Sequence, residues 1–320
     1  MKYSLNRVGV LSIGLIFIFL ILSVSGCSVI KPAQLSLPAD TPETIFLEDV
    51  PFFPQKRYQC GPSSLAMALA WSGLALTPDD LIVDVYTPNL EGSIQPSLIS
   101  AARYHGRVVY LIGGAREMFL EVAAGHPVLV LQNLGLSWYP KWHYAVVTGY
   151  ENRRKTIILH SGVNAAQRLS WRVFKNTWAR ADYWGLLILP ADELPATATE
   201  EKYLRAVVGL EQVKQYEAAI SAYQTALTRW PGSLSALMGL GNSYYAYGDL
   251  SSAARIFKQA VQLHPSDGMP LNNLALVLWE QGKKEQALQT IRRAIALGGS
   301  YKDIFEETLH AFEKSIEDDY

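Results

Sequence analysis

A chain of 320 residues with 28 basic and 29 acidic side chains, formal net charge −1 and 49% hydrophobic content is long enough for two domains of ordinary size. That composition excludes a mainly disordered protein, and the absence of any Lys/Arg block argues against a nucleic-acid partner. Two cysteines are present, Cys27 and Cys60, and each needs its own account.

The chain begins with Lys2 and Arg7, and an almost wholly apolar run follows from Val8 to Leu22. The small-residue pattern Val24-Ser25-Gly26-Cys27 closes it. A basic start, an apolar core of this length and small residues at the end describe a secretory signal peptide over residues 1–26. The cysteine at its end resembles a bacterial lipobox, which implies that Cys27 carries acyl chains and becomes the mature N-terminus. Several acyl chains hold a protein firmly on a membrane. Ser28, not Asp, follows the cysteine, and by analogy with lipoprotein sorting the expected location is the outer membrane, facing the periplasm. Residues 27–44, with Pro32, Pro38 and Pro42 among small and polar neighbours, read as a tether.

The next segment alternates between two periodicities. Helical spacing runs over Ser63–Trp71, around Pro96–Tyr104 and over Arg116–Ala124, and β-rich runs occupy 108–111, 128–131, 144–148, 156–159 and 186–189. Helices first and sequential strands later predict an α+β domain over 45–190 with a mostly antiparallel sheet. Residues 191–200, rich in Pro, Ala and Thr, read as a linker. Gly113-Gly114 and Gly298-Gly299 read as turns at element ends.

Beyond the linker the chain repeats itself. Pro231 and Pro265 are 34 residues apart, and Ala219/Ala253/Ala287, Ala226/Ala260/Ala294 and Tyr223/Phe257/Ile291 share that period. Gly248 and Gly282 do too, with Lys214 in the place of a glycine in the first unit. A 34-residue period with small residues at helix crossings resembles the tetratricopeptide repeat. About three repeats over 201–300, closed by a capping helix over 301–320, are expected, and with them a protein partner.

Cys60 carries the chemistry. It stands in Gln59-Cys60-Gly61-Pro62-Ser63-Ser64, directly before the apolar run Leu65 to Trp71. Gly-Pro before such a run predicts a turn that opens a helix, with Pro62 near the first helical position. The free N–H groups there favour a thiolate, so the expectation is a thiol that titrates low. Among six histidines, His143 in Trp142-His143-Tyr144-Ala145-Val146-Val147-Thr148-Gly149-Tyr150 lies at the start of a strand closed by Gly149, where an imidazole is held at a cleft edge. No histidine or cysteine spacing fits a metal site, and no cofactor is expected.

The segments Val50-Pro51-Phe52-Phe53-Pro54-Gln55, Tyr58 to Met67 and His143 to Tyr150 together resemble the C39-like peptidases, which are papain-like cysteine peptidases. With the lipobox and the repeat tail, the chain is similar to the lipoprotein subgroup called PA2778-family cysteine peptidases. The resemblance implies an α+β papain-like peptidase domain ahead of an all-α repeat domain, acting on a peptide or protein substrate. It implies Cys60 as nucleophile, His143 as general base and Gln55 as oxyanion donor, with Gln59 as the competitor for that last role. Where the family places an Asp to fix the imidazole, this chain reads Ile158-Leu159-His160-Ser161-Gly162. His160, Ser161 and Asn164 are the candidates to replace it. A second expectation stays open, a scaffold with a weak peptidase whose repeats carry the function.

Overall fold

The computed structural model describes residues 36–39 and 41–318. The expected signal peptide and Cys27 lie outside the described residues, as does much of the tether. Among the described residues no helix is long and apolar enough to cross a membrane.

Seven strands make the sheet: β1 Thr44–Phe46, β2 Val108–Gly113, β3 Val128–Asn133, β4 Trp142–Glu151, β5 Thr156–Ser161, β6 Asn164–Ser170 and β7 Trp184–Leu189. Their order is β2-β7-β3-β4-β5-β6, with β1 added against the far half of β4. Every pairing is antiparallel. The five apolar strands were legible as runs, while β1 and β6 were not. β6 reads Asn-Ala-Ala-Gln-Arg-Leu-Ser and is mostly exposed, so it lacks the alternation that marks a half-buried strand. β4 does not stop at Gly149. A Cβ there would sit 2.3 Å from the Ile45 carbonyl oxygen, so the glycine admits β1 onto the strand, and β4 continues past a bulge to Glu151.

Five helices flank the sheet: α1 Cys60–Trp71, α2 Pro78–Val85, α3 Gln95–Tyr104, α4 Ala115–Ala123 and α5 Trp171–Ala179. α1 is buried on all sides from Gly61 to Leu69, which explains its apolar sequence. It packs between β4 and the α2–α3 pair, and Leu65, Leu69, Leu81, Val85, Leu98 and Leu131 close the core around it. Gly114 sits at φ 99° ahead of α4, the turn expected of Gly113-Gly114.

Seven helices follow: α6 Glu200–Gln212, α7 Tyr216–Arg229, α8 Leu234–Tyr247, α9 Leu250–Leu263, α10 Met269–Glu280, α11 Lys284–Leu297 and α12 Lys302–Asp318. The periodic alanines and the Tyr223/Phe257/Ile291 set fall on α7, α9 and α11, and all these alanines are fully buried. Small residues let the large ones in. A Cβ on Gly239 would sit 2.2 Å from the Tyr223 ring, and one on Gly241 would sit 2.4 Å from Phe257. Gly248 and Gly282 end their helices at φ 93° and 74°, and Lys214 holds the equivalent place at φ 61°.

The linker is held tightly. Glu121 on α4 is fully buried and accepts hydrogen bonds from Ala196 N (3.1 Å), Thr197 N (2.7 Å) and Thr197 Oγ1 (2.5 Å). His126 bridges Glu121 (2.6 Å) and Glu193 (2.9 Å). α6 then packs on β2, and Lys202 pairs with Glu117 at 3.0 Å.

Candidate active site

Cys60 is the first residue of α1. The helix opens with Ser63 N donating to Gln59 O at 3.1 Å, so Pro62 is its third residue, not its first, and still lies within the turn where a missing N–H costs nothing. The turn before it is strained. Tyr58 adopts φ 62°, and the Arg57 guanidinium lies over its ring, 4.7 Å from the centroid. Gly61 is required by packing, because a Cβ there would sit 2.3 Å from Ser93 Oγ. Ser93 belongs to the loop between α2 and α3, which thereby closes down beside Cys60.

A cleft of about 1180 Å³ brings together Gln55, Cys60, His143 and Tyr144, walled by Lys56 to Tyr58, Leu90 to Gln95 and Tyr139 to Trp142. Gln55 is anchored by its backbone N–H to Gly162 O (2.9 Å), and its side-chain amide donates weakly to Ser64 Oγ (3.4 Å) and Tyr144 O (3.3 Å). Bonds this long release an amide easily. Gln59 is not among the residues that line the cleft.

His143 is the second residue of β4, opposite Gln132 on β3, and its Nε2 lies 2.9 Å from Ser161 Oγ. Of the three residues offered as partners for the imidazole, Ser161 is the one that touches it. His160 is fully occupied elsewhere: Nε2 faces Val50 O at 3.1 Å, Nδ1 accepts from Ala166 N at 3.1 Å, and its ring packs edge-on against Phe52. Asn164 pairs with Ser161 across the β5–β6 turn and is exposed.

The electrostatics differ from the sequence expectation. Burial pushes the Cys60 thiol above its ordinary value, and hydrogen bonds from the backbone of Tyr144, Gly61 and Cys60 itself offset this only in part. Burial also holds the His143 imidazole below its usual value. The expected low-titrating thiolate is therefore corrected. Donors at the helix start do face the sulfur, but desolvation outweighs them, and burial favours the neutral form of both side chains.

Two residues of the site escaped sequence reasoning. Tyr144 supplies the backbone group facing the sulfur and the carbonyl that holds Gln55, and its phenol donates to Ser93 O at 3.3 Å. Its position directly after His143 was the available signal. Ser93 lies in an aperiodic loop, and only the need for glycine at position 61 pointed to a neighbour there.

A lone cysteine at a helix start, a strand histidine and an amide donor in one cleft define a cysteine-peptidase type of domain, here joined to a helical-repeat domain. Residues 47–185 match the Peptidase_C39-like family, and residues 204–268 and 240–302 match the tetratricopeptide repeat. The chain thus carries a C39-like peptidase domain followed by tetratricopeptide repeats. Among curated proteins it is 38% identical over 74 residues to response regulator aspartate phosphatase E of Bacillus subtilis, which is 22% of this chain and 20% of that protein. It is 24% identical over 121 residues to superkiller protein 3 of Saccharomyces cerevisiae, 37% of this chain and 8% of that protein. The chain thus spans a fifth or less of these relatives. Among solved structures it is similar to one described as a C39-like peptidase of Bacillus anthracis, at 18% identity and a TM-score of 0.39, covering 46% of this chain and 98% of that one.

Proposed function

We propose that the chain is a cysteine peptidase, lipid-anchored through Cys27 on the periplasmic face of the outer membrane, whose repeats bind a protein substrate or partner. The observation that carries this reading is the convergence of Cys60, His143 and Gln55 in one cleft. With Nε2–H donated to Ser161, the Nδ1 lone pair of His143 is left to take the thiol proton as the sulfur attacks a substrate carbonyl. The oxyanion that forms is met by the Gln55 amide and the free N–H groups of the first turn of α1. The proton on His143 then passes to the departing amine. Water, deprotonated by the same imidazole, cleaves the thioester and regenerates the thiol. The anchor rests on the sequence pattern that ends at Cys27, and a diacylated N-terminal cysteine in membrane fractions, read by mass spectrometry, tests it.

A cysteine-directed activity probe applied to wild type, Cys60→Ala and His143→Ala tests the chemistry. Labelling is expected to vanish in the first variant and to fall at least tenfold in the second. Labelling undiminished in His143→Ala would remove the dyad. One observation favours a second reading, a scaffold with little turnover: the imidazole has a hydroxyl partner where a carboxylate would stabilise its charged form. On that reading Cys60→Ala leaves the cellular phenotype intact, and damage to the repeats abolishes it.

A further inference from the structure

The β3–β4 connection, Leu134 to Lys141, is an exposed hairpin built on a fixed frame. Asn133 Oδ1 accepts from both Gly135 N and Lys141 N at 2.9 Å, and Arg180 donates to Asn133 O at 2.8 Å and 3.1 Å. Leu136 and Tyr139 exchange backbone bonds of 3.1 Å at the tip. A Cβ on Gly135 would sit 2.4 Å from Tyr139 O, so the turn closes only with glycine there. A frame this well pinned ordinarily buries its apolar side chains. Here Tyr139 is 64% exposed and Trp142 55%, and both wall the cleft that holds Cys60 and His143. The same cleft is lined by Leu90, 62% exposed, and Ile94, 42% exposed, on the loop that Gly61 admits.

From this we infer that Tyr139 and Trp142, together with Leu90 and Ile94, determine specificity by gripping a large apolar side chain close to the bond that is cut. The inference rests on the peptidase reading and adds the substrate class to it: an extended polypeptide segment carrying an aromatic or branched aliphatic residue beside the scissile bond. Three points favour a substrate as the occupant. Tyr139, Trp142, Leu90 and Ile94 all line the one cleft that holds Cys60, whereas Leu134, Leu136 and Trp138 do not. Trp142 lines the same cleft as His143, so a group resting on it lies in the cleft that holds the reacting atoms. The rigid frame removes the ordering cost that a mobile apolar loop would impose on binding.

The test uses the full chain and peptide electrophiles that differ only in the side chain next to the reactive carbon: Phe, Leu, Gly, Asp or Lys. The rate of Cys60 labelling is read by intact mass. Wild type is expected to favour Phe and Leu over Gly by about tenfold, in line with burial of one large side chain. Trp142→Ala and Leu90→Ala should each reduce that ratio several-fold, with each rate normalised to the variant's own labelling by small iodoacetamide. Val83→Ala, which removes a still more exposed apolar side chain on α2, outside the cleft, should alter nothing. Equal rates for all five peptides, with Cys60 still reactive towards iodoacetamide, would overturn the inference and leave the peptidase reading standing. If no peptide labels Cys60, the peptidase reading fails, and the same peptides without the electrophile are measured against Cys60→Ala by fluorescence polarisation. Absence of an apolar preference there overturns the inference as well. Unchanged labelling ratios in the variants, together with loss of binding to anionic phospholipid vesicles, would make the hairpin a membrane contact and also overturn it.

Discussion

Cys60 sits where helix-end donors and desolvation oppose each other, and desolvation wins. Its alkylation by iodoacetamide should therefore be slow at neutral pH and keep climbing past the ~8.5 of an ordinary thiol. A plateau below neutrality would contradict the raised value. His143, held low by burial, stays neutral until the solution is more acidic than its ordinary titration range, so the acid limb of any activity profile should fall below pH ~6.5. Ser161→Asp puts a carboxylate at the 2.9 Å position now held by a hydroxyl. It should move that limb up by about one unit or more and raise turnover, as judged by the pH dependence of probe labelling. The candidate pair was legible in the sequence because a cysteine at a helix start and a histidine at a strand start each carry a local pattern. The partner of the imidazole was not, since His160 and Ser161 alternate across β5 and only the fold shows which side meets β4. The direction of the thiol shift was hidden for the same reason. Burial is a property of the packed domain, not of the motif.

At the scale of elements, the strongly apolar and the strictly periodic segments were readable, and the rest were not. β1 is three residues long and β6 is polar, so neither stands out from a loop. α5 was missed although its Trp171, Phe174 and Trp178 share one buried face, because Arg172, Lys175 and Asn176 interrupt a short run. The repeats were the clearest feature, and the mismatch noticed there has a structural counterpart. Lys214 occupies a left-handed turn that Gly248 and Gly282 fill in the next two repeats. A non-glycine residue in that region is disfavoured by roughly 1 kcal/mol. Lys214→Gly should therefore stabilise the first repeat by about that amount, seen as a higher urea midpoint for the helical signal.

In the molecule as a whole, the two domains are joined by a buried carboxylate. Glu121 gathers the backbone of Ala196 and Thr197, and His126 ties it to Glu193. Glu121→Gln should weaken the junction by about 2–3 kcal/mol and separate domain melting from repeat melting in calorimetry. The His126 imidazole is buried, which lowers its pKa, but the bonds and charges of Glu121 and Glu193 more than reverse this, so its folded value is raised. A raised base stabilises the fold fully below its unfolded value near pH ~6.5, and that share is lost as pH rises through the folded value. The junction should therefore loosen on the alkaline side, and Glu121→Gln should flatten the dependence of melting temperature on pH.

The packing of α6 on β2 has a consequence for the repeats considered as a stack. A stack of helical hairpins has two raw ends, and each must be covered to stay soluble. α12 covers one, with Phe305 and Phe312 buried against α10 and α11. The other is covered by the C39-like domain, where the Arg103 guanidinium fills the space a Cβ on Gly209 would take and Gln215 Nε2 reaches Tyr104 O at 2.8 Å. The peptidase domain thus serves as the missing lid of a three-repeat array. Residues 199–318 expressed alone should pair end to end through α6, a concentration-dependent dimer by sedimentation, whereas the joined domains should not pair by that route.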